Sequence, residues 1–231
     1  GYTPTHVVNL FSNQRGSYFY LSPLTIIWNS ARFAIATVFI SMVIGTISAH
    51  FLSRSNMKGI NGLDSFLMLP LGISAVTLGF GFIITMNRPP LDLRASWLII
   101  VIAHSLVAYP FVIRSLLPVI RSINPNLRHA AAMLGARPVR VFLHVNLPIL
   151  SPALLVGATF AFAISIGEFG ASLLLVRPEF TTIPVAIYRY LSLPGENNLA
   201  SALAMSSLLM VTVLLGFVII EKFRFRGVGT F

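Results

Sequence analysis

Side chains able to do acid, base or metal chemistry are scarce in this chain. Its 231 residues hold six Asp and Glu, five His and no Cys, against sixteen Lys and Arg. Without Cys there is no disulfide, no thiolate metal site and no Cys nucleophile. His-Glu-x-x-His, Gly-x-Ser-x-Gly and clustered acid pairs are all missing, so neither a zinc-protease helix nor a nucleophile elbow can be built. Gly79-Phe80-Gly81 is not followed by Gly-Lys-Ser/Thr, which removes the phosphate-cradling loop. No enzymatic activity, cofactor or resident metal is expected. What remains for the polar residues is recognition. They gather in a basic, helix-turn-helix-like island between two apolar stretches: His129-Ala-Ala-Ala-Met-Leu-Gly135-Ala-Arg-Pro-Val-Arg-Val-Phe-Leu-His-Val145-Asn-Leu-Pro148.

The elements around that island must lie in lipid. Apolar residues are 56% of the chain and charged ones 10%, against about 25% charged in soluble domains. Mean hydropathy is +0.85. Five runs, near 25–52, 62–86, 95–120, 148–168 and 198–220, reach the roughly 20 residues that cross a bilayer as helix. Open sheets leave backbone groups unpaired in lipid, so the expected class is an all-α membrane bundle of about five spans. Ser22-Pro23, Asn61-Gly62 and Leu147-Pro148 mark span starts, and Ser53-Arg54, Arg88-Pro89-Pro90 and Glu221-Lys222 mark ends. Pro70, Gly72, Gly79 and Gly81 predict a kink and close packing in the second span.

Charge sets the orientation. One set of linkers carries Arg54, Lys58, Arg121, Arg128, Arg137, Arg140, Lys222, Arg224 and Arg226. The other carries Arg15, Arg88, Arg94, Arg177 and Arg189, offset by Asp92, Glu179 and Glu196. The first set belongs in the cytoplasm, and this asymmetry accounts for the net charge of +10 without nucleic acid. Residues 1–24 are then an external loop, 25–231 the membrane domain and 121–147 a cytoplasmic segment. The opening Gly1-Tyr-Thr-Pro4, without Met or signal peptide, reads as a piece of something longer, with a further helix before Gly1. Residues 169–197 read as an external or re-entrant stretch.

Within the cytoplasmic segment, Asn124-Pro125-Asn126 can start a helix. Leu127 to Leu134 gives two turns, Gly135 a left-handed stop, and Pro138 the start of a second short helix over Val139–Asn146. Pro148 opens the next span. Positive-inside arginines explain the charge but not this spacing.

The spacing resembles the signature of permease subunits of binding-protein-dependent ABC importers of the type I architecture. Those carry Glu-Ala-Ala, three residues, Gly, nine residues, an Ile-like residue, one residue and Leu-Pro. Ala130, Ala131, Gly135, Val145, Leu147 and Pro148 match, while His129 stands where the family has Glu. Asn29-Ser30, Leu69-Pro70, His104 with Tyr109-Pro110-Phe111, Gly167-Glu168-Phe169-Gly170 and Ile219 to Lys222 are similar too, most of all to the iron(III), thiamine, polyamine and sulfate/molybdate branch. The resemblance implies a multi-pass bacterial or archaeal inner-membrane protein partnered by ATPase subunits, an extracytoplasmic substrate-binding protein, lipid and a second permease half or subunit. The chain is either one half of a fused permease or a free-standing subunit. It implies ATP hydrolysis on the ATPase, docking through Leu127, His129, Ala130, Ala131 and Arg137 with Gly135 setting the angle, and iron(III) or thiamine as substrate, with polyamine, sulfate and molybdate as alternatives. A secondary transporter or channel would instead require several paired intramembrane charges or broken helices.

Three pathway candidates stand in or beside the spans: His104, Tyr109 and Glu168. His104 can serve the pathway or an interhelical hydrogen bond, and Glu168 the outer mouth or a cap. Arg32 can snorkel to the outer surface. Tyr188, Arg189 and Tyr190 can form an interfacial belt or meet the binding protein.

Overall fold

The computed structural model describes residues 21–53, 59–87, 93, 94 and 96–227, with backbone alone at 125, 128, 129, 132, 138 and 223–227. The external-loop reading of residues 1–20, the flanking Arg15, Arg54, Lys58, Arg88 and Asp92, and the side chains of Arg128, His129, Arg224 and Arg226 lie outside the described residues.

The described residues are helical, without strands. Three long helices form the centre: α1 (Pro23–Leu52), α4 (Leu98–Ser122) and α7 (Leu147–Gly167). Between the first two come α2 (Ile60–Met68), a 3₁₀ turn (Leu69–Gly72) and α3 (Ala75–Thr85). After α4 follow α5 (Pro125–Met133) and α6 (Pro138–Val141), which a π turn (Phe142–Asn146) joins to α7. Then come α8 (Gly170–Leu175), a 3₁₀ turn (Pro178–Phe180), α9 (Ile183–Leu191) and the long α10 (Glu196–Gly227). Four helices are long and apolar enough to span a membrane, or five with the bent α2–α3 pair taken as one.

α4 is the hub, packed against both α1 and α7. Its buried face supplies Ile99, Ile100, Val112, Ile113 and Leu116 to the core. Small residues set the close approaches. A Cβ on Gly45 would lie 2.6 Å from Val112 Cγ1, and one on Gly157 3.4 Å from the same atom, so α1 and α7 both close on Val112 of α4. The outward faces of α1 and α10 are apolar, with Phe39, Ile47, Leu214 and Val218 among those exposed. Such faces suit lipid.

Two expectations change. The second span is not one kinked helix: α2 and α3 meet at 100°. Pro70 has no N–H to donate, and Ile73 and Ser74 turn extended (ψ 135° at both), which ends the first half. Nor is Val139–Asn146 a separate short helix ended by Leu147-Pro148. α6 runs through the π turn into α7 without a stop. Pro148 removes one donor from the ladder, and the Leu147 N–H reaches back five residues to the Phe142 carbonyl. His144 Nδ1 donates to the Arg140 carbonyl at 3.0 Å, capturing an acceptor in the same turn.

Candidate functional site

The segment 124–148 is built from its two ends. Asn124 Oδ1 accepts the Asn126 N–H at 2.9 Å and so caps the start of α5, with Pro125 at the first helical position. At the other end Gly135 takes φ +76°. The Ala136 N–H then bonds the Ala131 carbonyl at 3.1 Å, the six-to-one bond of a Schellman closure. A Cβ on Gly135 would meet nothing within 4 Å, so the glycine is there for its backbone and not for space.

This hairpin buries Val141 but holds three large apolar side chains outward. Met133 and Leu134 are each 89% exposed and Val139 70%. Leu127 is half-exposed, Ala130, Gly135 and Arg137 are exposed, and Ala131 is half-buried. Val145, Leu147 and Pro148 lie farther on, in the π turn and the first turn of α7. Large apolar side chains exposed together are a feature of interaction surfaces. Met133, Leu134 and Val139 were not among the sequence candidates. The signal for them was their place, apolar side chains flanking the Gly stop where an isolated hairpin has no core.

A second polar assembly lies in the bundle. His104 is 1% exposed. Its Nδ1 pairs with Ser165 Oγ at 2.9 Å and its Nε2 with Ser172 Oγ at 2.8 Å, while Ser165 Oγ donates to Thr37 Oγ1 at 3.2 Å. One imidazole thus ties α1, α4, α7 and α8 together. Tyr109, one and a half turns along α4, donates its hydroxyl to the Leu67 carbonyl at 2.8 Å. That carbonyl precedes Pro70 by three residues and cannot receive a 3₁₀ bond from it, so the tyrosine supplies the donor the proline lacks. Glu168 accepts the Ala171 N–H at 3.0 Å through Oε1, which caps α8. His104, Tyr109 and Glu168 therefore do not converge on one cavity; each joins an irregular stretch of backbone or a neighbouring helix to the core.

The stretch 169–197 is held the same way. Asn29 Nδ2 donates to the Glu179 and Thr181 carbonyls at 3.0 and 3.3 Å, and Ser30 Oγ accepts the Ile183 N–H at 2.9 Å. Asn29-Ser30 is thus a clamp on the segment that starts α9. Arg32, half-buried, stacks on aromatic rings: its guanidinium carbon lies 4.8 Å from the Phe33 ring centre and 5.7 Å from that of Phe180. Tyr188 rests against Phe169 at 5.3 Å. α3 meets α8 backbone to backbone, since a Cβ on Gly79 would lie 3.0 Å from Ala171 Cα.

Asp64 of α2 and Arg114 of α4 form an ion pair at 3.4 Å inside the spanning segments. Sequence reading passed over both, because each is a lone charge in an apolar run and nothing local says that the runs meet.

Comparison with known proteins agrees with this architecture. The family described as "Binding-protein-dependent transport system inner membrane component" matches residues 19–226. The chain is 30% identical over 198 residues to the molybdenum transport system permease protein ModB of Escherichia coli, covering 80% of this chain and 86% of that protein. It is 27% identical over 226 residues to the putative 2-aminoethylphosphonate transport system permease protein PhnV of Salmonella typhimurium, covering 98% and 81%. It is 32% identical over 175 residues to the putative molybdenum transport system permease protein YvgM of Bacillus subtilis, covering 70% and 77%. Among solved structures, an inward-facing MetNI methionine ABC transporter chain superposes with a TM-score of 0.67 at 18% identity, covering 88% of this chain and 92% of that one. None of these relatives carries an iron or thiamine name, so that expectation gains no support. A family match over nearly the whole chain, on a helical bundle of the same fold, makes this a multi-pass inner-membrane protein of the binding-protein-dependent family, a permease subunit of an ABC importer.

Proposed function

We propose that the hairpin of α5 and α6 is the docking element for a separate cytoplasmic ATPase, and that the substrate is an oxyanion of the molybdate or phosphonate kind. The observation that carries the docking reading is the pairing of a Schellman-closed helix end with Met133, Leu134 and Val139 held in the open. An ATPase groove would cover them, flanked by Leu127, Ala130, Ala131, Arg137 and the backbone at His129. ATP-driven closure of two ATPases would move the hairpin, and the unbroken helix from Pro138 would carry the motion into the bundle. Substrate would arrive from an extracytoplasmic binding protein and pass between this subunit and a second permease copy or half. The oxyanion reading rests on the relatives' names and replaces iron(III) and thiamine as the preferred substrate class.

Reconstitution tests both parts. Proteoliposomes holding this permease, its ATPase and its binding protein should take up molybdate or 2-aminoethylphosphonate on ATP addition. Uptake of ferric iron or thiamine, with neither anion transported, would refute the substrate reading.

A further inference from the structure

The Asp64–Arg114 pair is buried in neither protein nor water. Their side chains are 35% and 55% exposed. Arg114 lies eight residues before Ser122, about 12 Å along the helix from the end that leads to the coupling hairpin. Arg121, one residue from that end, instead donates to the helix-terminal Leu52 carbonyl at 3.1 Å, as an interfacial arginine does. Arg114 does not follow it outward. Its guanidinium turns to Asp64, whose short side chain cannot snorkel at all.

Charges at this depth are rare and face a bundle interior or water. α4 is otherwise the most enclosed span; away from its ends it is exposed at Arg114 and Pro118, with Phe111 and Ser115 half-buried on the same strip. Asn61 and Ser65 are exposed on α2 beside Asp64. The pairing is also incomplete: a single long contact leaves most of the guanidinium donors unused, and Asp64 Oδ1 accepts nothing. A loose, half-open pair of this kind can exchange its carboxylate for another anion.

We infer that the Asp64–Arg114 pair lines the water-filled translocation pathway on the coupling side, and that Arg114 is a contact for the anionic substrate, with Asp64 holding the guanidinium when no substrate is present. The substrate half of this inference rests on the oxyanion reading above; the location half does not. Fork-shaped guanidinium donors suit two oxygens of a tetrahedral oxyanion.

The natural absence of Cys gives a clean background for the test. In the assembled transporter, Ser115→Cys keeps Arg114 in place and should react with a membrane-impermeant methanethiosulfonate, with molybdate or 2-aminoethylphosphonate slowing the reaction, whereas Leu214→Cys on the lipid-like face should stay unreactive. A Ser115→Cys as inert as Leu214→Cys would overturn the location, whichever substrate is transported. For the contact, Arg114→Gln should raise the KM for oxyanion uptake about tenfold or more, with Arg114→Lys in between. An unchanged KM in a transporting Arg114→Gln complex would overturn the substrate contact, and with it no doubt would fall on the oxyanion reading, which is judged by uptake in the unsubstituted protein.

Discussion

Gly135 and His104 show two ways a single residue can matter here. Gly135 serves through its backbone, at φ +76° with open space around it. A β-branched residue there costs about 1–2 kcal/mol of left-handed strain, so Gly135→Val should loosen the hairpin and weaken ATPase binding while Gly135→Asn largely preserves it. Affinity capture of the ATPase by each variant in detergent checks this. His104 serves through both ring nitrogens. His104→Ala leaves Ser165 and Ser172 short of partners and should lower the stability of the detergent-solubilised protein by about 1–3 kcal/mol, read from its thermal midpoint. The glycine was legible because left-handed stops have a sequence signature. The histidine's partners were not, since Ser165 and Ser172 lie 61 and 68 residues away and neither spacing nor composition encodes that meeting.

Among the elements, the apolar runs were legible and their interruptions were not. α1, α4 and α10 stand where continuous hydrophobic sequence predicts helices. The 100° bend between α2 and α3 comes from Pro70 together with a tertiary donor, Tyr109, that satisfies the Leu67 carbonyl. A proline alone predicts a kink; only the packed neighbour makes a full break affordable in lipid. The join of α6 to α7 escaped in the opposite direction, because Pro148 reads as a start although a π turn absorbs it. The α3–α8 contact yields a prediction at this scale. Gly79→Val would drive a side chain into the Ala171 backbone, which cannot swing away, so it should destabilise by about 1–3 kcal/mol. Gly81 on the same helix has open space, and Gly81→Ala should be near neutral in the same thermal measurement.

Across the whole molecule, the arrangement is a lever. From Pro138 to Gly167 the chain is helical for 30 residues, about 45 Å. One end carries the exposed hairpin; near the other, Ser165 is bonded to His104 and Thr37 and Glu168 caps α8. On the docking reading, a displacement of the hairpin would reach the far half of the bundle through this one continuous element. The central claim is that Met133 and Leu134 are exposed because an ATPase covers them. Both lie away from the bundle core, so Leu134→Asp should leave the fold intact, with the circular dichroism and elution volume of the unsubstituted protein. The direct measurement is co-purification of the ATPase with Leu134→Asp permease: the account predicts that the ATPase is lost and ATP-driven uptake with it, and retention of a fully active ATPase complex would contradict it.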